Sequence, residues 1–424
     1  MGIGFTGHGT GGTNRIAEEC RPAPTRSPRI AAIAVSTFLL AGGVLAASPS
    51  PVHAASGPGS GWRNVPAETV SGQNFILNSV AVPTAGKVWV AGYHWEVVGG
   101  AIEFRTLVEH FDGKRFVIDP TPDRETAPAV DFLDGISGSS ASDVWAVGSS
   151  SPPGASDQTL VEHWDGTAWS IVRSPNPGNA GNILQGVAAI SSTDVWAVGA
   201  LQTTTTFYQR PMAIHWNGRT WAAMSLPEPT GCTGHSYLTA VRAVRHTDVW
   251  TTGWCGSGGS TPQQGYVEHW NGHHWALVGS YGSLPANSQL YGISATGPND
   301  VWAVGHTQAS GSSQEAALTV HWNGVSWTQV AVNPPGDNGD LHGIVARGSQ
   351  PSWSVGSGSS PQPPFAGPLS VRFVGGAWRD VKVPLPFGSL AGVAIDPGGL
   401  LWAAGTHQDR MGDNVPTVLV RPLG

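Results

Sequence analysis

Thr193–Gly199 reads TDVWAVG, and a little further on His215–Trp221 reads HWNGRTW. Both stretches recur along the chain, and their recurrence decides the fold. The tryptophan of the first returns as Trp89, Trp145, Trp196, Trp250, Trp302, Trp353 and Trp402, at intervals of 49 to 56 residues. The second returns at His110–Phe116, His163–Trp169, His269–Trp275 and His321–Trp327, and decays to Arg372–Trp378. A fixed period of this length marks a repeat architecture built from one supersecondary unit.

One unit is legible in residues 184–226. Leu184–Ile190 is a short apolar run, and Val195–Gly199 is a second. Four consecutive apolar residues closed by Gly suit a strand buried on both faces. Pro211–Trp216 supplies a third strand, and a fourth begins near Trp221. Asn-Gly or Asp-Gly at Asp112, Asp165, Asn217, Asn271 and Asn323 supplies the positive φ angles of a tight hairpin turn. Each unit thus holds four antiparallel strands, here termed a to d. Seven such units predict an all-β fold, a seven-bladed β-propeller of four-stranded antiparallel blades.

The unit resembles those of the Kelch superfamily, which includes galactose-oxidase-like propellers. The resemblance rests on an apolar strand ending in Gly, an aromatic on the next strand and a Trp after the tight turn, and it covers roughly Trp62 to the C-terminus. The chain departs from Kelch in lacking the Gly-Gly doublet, since Gly199 is followed by Ala200 and Gly148 by Ser149. The turn at Asp165–Trp169 is similar to a shortened Asp-box of sialidase-type propellers. The resemblance implies a propeller and leaves the activity open, because this fold hosts unrelated functions.

The last unit offers only three strands, near Leu390–Ile395, Leu401–Gly405 and Thr417–Arg421. Trp62–Pro66 matches the d-strand pattern of Trp169–Val172 and is predicted to supply the fourth. Such pairing removes the exposed edges that an open ring would leave.

Residues 1–54 read as a secretory leader with a long n-region. Arg26 and Arg29 precede the apolar run Ile30–Ala47, and Val52-His53-Ala54 offers a cleavage site. An uncleaved cell-surface anchor is the alternative, the run being about as long as the ~18-residue lower limit of a span. Residues 55–424 are then one secreted, monomeric propeller without a membrane segment. The chain carries a net charge of −7, and the leader contributes four arginines against two glutamates, so the remainder is more negative still. With few lysines and no basic run, nucleic acid and anionic membranes are poor partners, and no nucleic acid is expected. Cys20 lies in the leader. Cys232 lies in a d–a loop and Cys255 just after a strand b, on the same face of a propeller, so a disulfide is expected in an oxidising compartment.

The repeat separates scaffold from site. Of 19 tryptophans, all but Trp95 and Trp254 fall at three repeat positions, which suits packing between blades. His110, His163, His215, His269 and His321 share one position, and Asp143, Asp194, Asp248 and Asp300 another. They are read as a buried Asp–His–Trp hydrogen-bond set, like the structural tetrads of WD40 propellers. Glu109, Glu162 and Glu268 each precede a His on an alternating strand and are expected to face solvent.

What varies from blade to blade is the candidate site. The b–c and d–a loops are long and different in every blade, where function is expected. Trp95 and Trp254 are placed in b–c loops, and His94, His235, His306, His342 and His407 on the same face. Strand a opens with a Leu-x pattern in which x is Asn78, Asp134, Gln185, Thr239, Tyr291, His342 and Ala391. The six polar residues of this slot should ring the mouth of the central channel, with Trp95, Trp254 and His306 above them.

Two functions follow. The first is a recognition module that binds a glycan or an extracellular protein at one central site, by aromatic stacking and fixed hydrogen bonds. The alternative is a polysaccharide lyase or glycoside hydrolase at the same mouth. Its catalytic candidates are Tyr291, His342, His306 and Asp134, with Glu96, Asp131, Glu315 and Asp340 as nearby carboxylates and Arg210 or Arg124 as a cation. No phosphate loop, nucleotide fold, zinc spacing or nucleophile elbow is present, and neither metal nor cofactor is expected. A galactose-oxidase-like copper centre would need a Tyr–Cys cross-link, and both remaining cysteines are committed to each other.

Overall fold

The computed structural model describes residues 61–423, apart from 125–129, 230, 233, 257–262, 281, 310–313, 334–337, 348–349 and 360–365. The expected leader and its cleavage site lie outside the described residues. Among these, no helix is long and apolar enough to cross a membrane.

The described residues form seven sheets, each with an antiparallel four-stranded core. In the third, strands a to d are Gly181–Ser191, Asp194–Thr203, Thr206–Trp216 and Trp221–Met224, hydrogen-bonded in that order. The a strands of successive blades contact one another all the way round, the seventh meeting the first, and so enclose a central axis. The seventh sheet is completed by Arg63–Val65, which pairs antiparallel with Asn414–Pro422 in the register Arg63↔Val420. The sequence-based closure is therefore correct. One addition was not foreseen: Val332–Asn333 pairs parallel with the d strand Ala377–Asp380, giving the sixth blade a fifth strand.

Burial of aromatic surface holds the blades together. All seven strand-b tryptophans are at most 5% exposed. Trp89, Trp145, Trp196, Trp302 and Trp402 each insert between two aromatics of the next blade. Trp145 meets Trp216 and Trp221 with ring centroids 5.2 and 5.5 Å away, and Trp196 meets Trp270 and Trp275 at 5.2 and 5.4 Å. Trp402 of the last blade meets Phe111 and Phe116 of the first, so the pattern is cyclic. At the closure Trp62 packs edge-on to Trp353 at 5.8 Å, and the Arg421 guanidinium lies 4.3 Å above the Trp353 ring, a cation–π contact.

The repeated His–Asp pairs are structural. His163, His215, His269 and His321 bond through Nε2 to Asp143, Asp194, Asp248 and Asp300, each at 2.8 Å. Trp145 and Trp250 donate to the same carboxylates, completing the three-member set. In the third and fifth blades the Trp196 and Trp302 N–H groups lack that bond, and the set reduces to the pair. The first blade has Lys87 where the second to fifth have Asp, so His110 turns to Asp119 on strand d, 2.7 Å away.

Two local expectations need correction. In the Asn-Gly turns only the glycine takes a positive φ, 90° at Gly218. Asn217 instead accepts from the backbone N–H groups of Arg219 and Thr220, at 3.0 Å each, and so caps a four-residue connection between the paired Trp216 and Trp221. The second correction is larger. Glu109, Glu162 and Glu268 are 0% exposed, not solvated. An interior strand of a blade is covered on one face by the preceding blade and on the other by the next, so alternation does not bring a side chain to water.

Candidate functional site

The slot x on strand a is a β-bulge in every blade. The a–b register skips between Leu77 and Ser79, Leu133 and Gly135, Leu184 and Gly186, Leu238 and Ala240, Leu290 and Gly292, Leu341 and Gly343, and Leu390 and Gly392. The skipped residue is x, left outside the ladder where its side chain is re-aimed. The glycine ending the apolar run of strand b is part of the same device. A Cβ on Gly199 would lie 2.1 Å from the carbonyl oxygen of Ile183, and one on Gly92, Gly253 or Gly305 would lie 1.8 Å from the equivalent oxygen. Strand a crosses strand b too closely there for any side chain.

All seven x residues are half-buried. Asn78 donates to Leu133 O at 2.9 Å and to Asp134 Oδ1 at 3.2 Å, joining the first two blades. Burial pushes the Asp134 carboxyl up to about 7. Gln185 keeps a buried amide oxygen without a partner among the described residues. Thr239 donates to Leu290 O at 2.8 Å, so its hydroxyl is taken up by backbone. Tyr291 stacks on His342 at 5.2 Å, and His306 lies 5.6 Å from the same ring.

This last sector collects the titratable groups. Asp340, on the strand a that carries His342, faces His342 Nε2 at 2.9 Å and accepts from the Ser357 hydroxyl at 2.5 Å. Burial alone would raise the Asp340 carboxyl, but the charge of His342 and the hydrogen bonds from His342 and Ser357 outweigh it and hold it at about 2. Burial likewise pulls His342 down, and the Asp340 charge and hydrogen bond outweigh that, leaving the imidazole above its ordinary value. His306 is lowered by burial, against the opposing charges of Glu315 and Asp340. Tyr291, which donates to Gln289 Oε1, is raised by burial and by the carboxylates of Asp340 and Glu315.

Trp95 and Trp254 are not in loops. They lie in the extended ends of the b strands Lys87–Val98 and Asp248–Gly256, paired with Asn74 and Tyr237. His94, His306 and His407 are also on b strands, and His235 is the first residue of a strand a. The strands of some blades run on past the point where the apolar pattern stops, because pairing with a long neighbour continues.

Trp95 belongs to a group with Tyr93, Phe104 and Phe132, in which Tyr93 meets Phe132 edge-on at 4.8 Å. Trp254 packs on Tyr237 at 4.8 Å, beside His235. The two tryptophans therefore mark separate sectors, the first and fourth blades, while Tyr291, His306, His342 and Asp340 form a third. Arg210 is paired with Glu228 at 2.6 Å and Arg124 donates to Thr159 O at 2.7 Å, and neither joins that third sector.

Sequence reasoning missed Tyr93, Phe132, Tyr237 and Ser357 and left Asp340 among the surrounding loops. A signal existed. The residue after the strand-b glycine, in blade order Tyr93, Ser149, Ala200, Trp254, His306, Ser357 and Thr406, varies as freely as x does, and it sits one step above it.

No family model matches the chain, and no curated protein does. Among solved structures the chain is similar to a GH74 xyloglucanase from Xanthomonas campestris, with a TM-score of 0.53 and 12% identity over 84% of this chain and 55% of that one. It thus spans about half the length of that neighbour. A PL25 ulvan lyase matches with a TM-score of 0.49 and 12% identity, over 85% of this chain and 96% of that one. A protein of unknown function from Dyadobacter fermentans matches with a TM-score of 0.46 and 9% identity, over 85% and 99%. At these identities the likeness speaks to the propeller fold alone.

Proposed function

We propose that the chain is an exported recognition propeller that holds a glycan at a single site on the mouth of its channel. The observation that carries this is the division of the mouth into unlike sectors. Aromatic groups around Trp95 and Trp254 offer apolar rings, while Asn78, Asp134, Gln185, Tyr291 and His342 offer fixed polar edges. A sugar presents the complement, apolar ring faces and hydroxyl edges, and binding sites pair the two in this way. Seven different residues at x argue for one composite site, not seven equal ones. Export is supported by the leader pattern and by the Cys232–Cys255 disulfide, whose Cα atoms are 5.9 Å apart.

A second reading, an enzyme acting on polysaccharides, is favoured by the cluster of Tyr291, His306 and His342. Tyr and His side chains in ring contact are placed to move protons in β-elimination. Hydrolysis would need two facing carboxylates, and Asp340 and Glu315 are the pair at hand. A glycan array combined with a reducing-end assay separates the two. Binding without product supports recognition, with Tyr291→Phe and His342→Ala only weakening it. Released ends, or new ultraviolet-absorbing unsaturated ends, abolished by the same substitutions, would replace recognition with catalysis.

A further inference from the structure

His306 is the most buried histidine among the described residues. Its side chain is almost wholly buried, with the residue 4% exposed, yet neither ring nitrogen has a hydrogen-bond partner among the described residues. Nδ1 is buried with nothing to bond among the described residues, and the carboxylate nearest to Nε2 is that of Glu315, with Oε1 3.8 Å away and beyond hydrogen-bond range. Each of the scaffold histidines on strand c meets a carboxylate at 2.7–2.8 Å, whereas Nδ1 of His94, like that of His306, is buried without a partner among the described residues. Leaving a buried polar group unmatched is costly, and such an exception calls for a missing partner.

Two carboxylates face the same space. Glu315 opens strand c of the fifth blade (Glu315–Trp322), and Asp340 lies on strand a of the sixth (Asn338–Arg347). One ligand atom from each of His306, Glu315 and Asp340 lies within 4.8 Å of the others. We propose that these three residues bind a divalent transition metal of the zinc class at the rim of the channel. One imidazole and two carboxylates suit such a borderline ion, whereas calcium prefers six to eight oxygens. A cation about 2.0–2.2 Å from each ligand requires the three to draw slightly closer. Glu315, the exposed member, is the one free to swing. Asp340 is already oriented by Ser357 and His342, the outer hydrogen bonds that hold ligating carboxylates in known sites. Three protein ligands leave a coordination position open, as in sites that act on or hold a further ligand and unlike closed structural sites.

The inference stands apart from the glycan reading, because the metal alone is the probe. The untagged full chain, stripped with chelator, is titrated calorimetrically with Zn2+, Mn2+ and Ca2+ in turn. One Zn2+ per chain is expected, and no stoichiometric Ca2+. Glu315→Gln, at an exposed side chain, should leave the metal-free melting temperature unchanged and weaken Zn2+ by at least about tenfold, the loss that even outer partners of a metal site produce. Asp340→Asn should weaken it further. His273 and His274 are adjacent and exposed on a turn, so the double variant His273→Ala/His274→Ala tests for surface binding and should bind as the parent does. Absence of stoichiometric Zn2+, binding indifferent to Glu315→Gln, or loss of binding in the His273/His274 variant would each overturn the proposal.

Discussion

Trp196 and Trp254 are the same side chain in two roles, and replacing each should show it. Trp196 is fully enclosed between blades. Trp196→Ala should cost on the order of 3–5 kcal/mol in urea unfolding and leave ligand selectivity alone. Trp254, half-buried near the end of its strand, should lose far less stability as Ala and, on the recognition proposed above, much of the affinity for a glycan. Equal stability losses would undo the distinction between packing and recognition. Gly199 offers a second test, since the Ile183 carbonyl blocks a Cβ. Gly199→Ala should cost about 3 kcal/mol, at the upper end of overpacking, although alanine is otherwise well tolerated in strands of this chain. At this scale the repeated Trp, His and Asp residues were readable as scaffold because repetition is visible in sequence. The isolation of His306 was not, since it depends on what fails to lie nearby, and no pattern along the chain records that.

Strand c shows where pattern reasoning gives out. Period-two alternation predicts one dry face and one wet face, but Glu109 and Glu268 are sealed between blades with no partner among the described residues for either carboxyl oxygen. Burial, aided by Glu68 and Asp119, pushes Glu109 up to about 8; burial and Glu228 do the same for Glu268. Burial and Asp131 raise Glu162 well above its ordinary value. Carboxyls whose folded pKa exceeds the unfolded one stabilise fully below the unfolded value near 4.5, and lose that contribution as pH climbs toward 8. Thermal melting should therefore fall steadily between pH 5 and pH 9. Each unit of pKa shift is worth about 1.4 kcal/mol, so three such groups should dominate the slope. The triple variant Glu109→Gln/Glu162→Gln/Glu268→Gln should flatten the profile, and a slope unchanged by it would place the titration elsewhere. Ile214 and Val320 fill the same slot in the third and fifth blades, so nothing in the packing demands an acid there.

The ring as a whole was legible because its parts are counted in sequence. Seven tryptophans, a three-stranded last unit and a spare d strand at the other end leave one arrangement without a free edge. The extra strand Val332–Asn333 escaped, being two residues long and parallel to its partner. Which sectors of the mouth come together also escaped, because neighbours across the axis are set by bulges that a Leu-x pattern marks but does not aim. Removing residues 55–68 deletes Trp62 and the strand Arg63–Val65. It should expose the edge of Asn414–Pro422, lower the melting temperature and promote self-association in light scattering. A truncated chain that melts and scatters like the parent would mean the ring does not depend on its clasp.

That clasp also imposes an order in time. Arg63 pairs with Val420, so among the first residues of the ring to be made are partners of almost the last. At the ~5–20 residues per second of synthesis, the early strand must wait some tens of seconds for its mate. Until then the earlier blades can stand only as an open arc, with Trp62 lacking the Trp353 face it will cover. Contacts this distant along the chain make closure slow even once both ends exist. The finished ring hides that vulnerable interval, and the clasp strand, only three residues long, is what ends it.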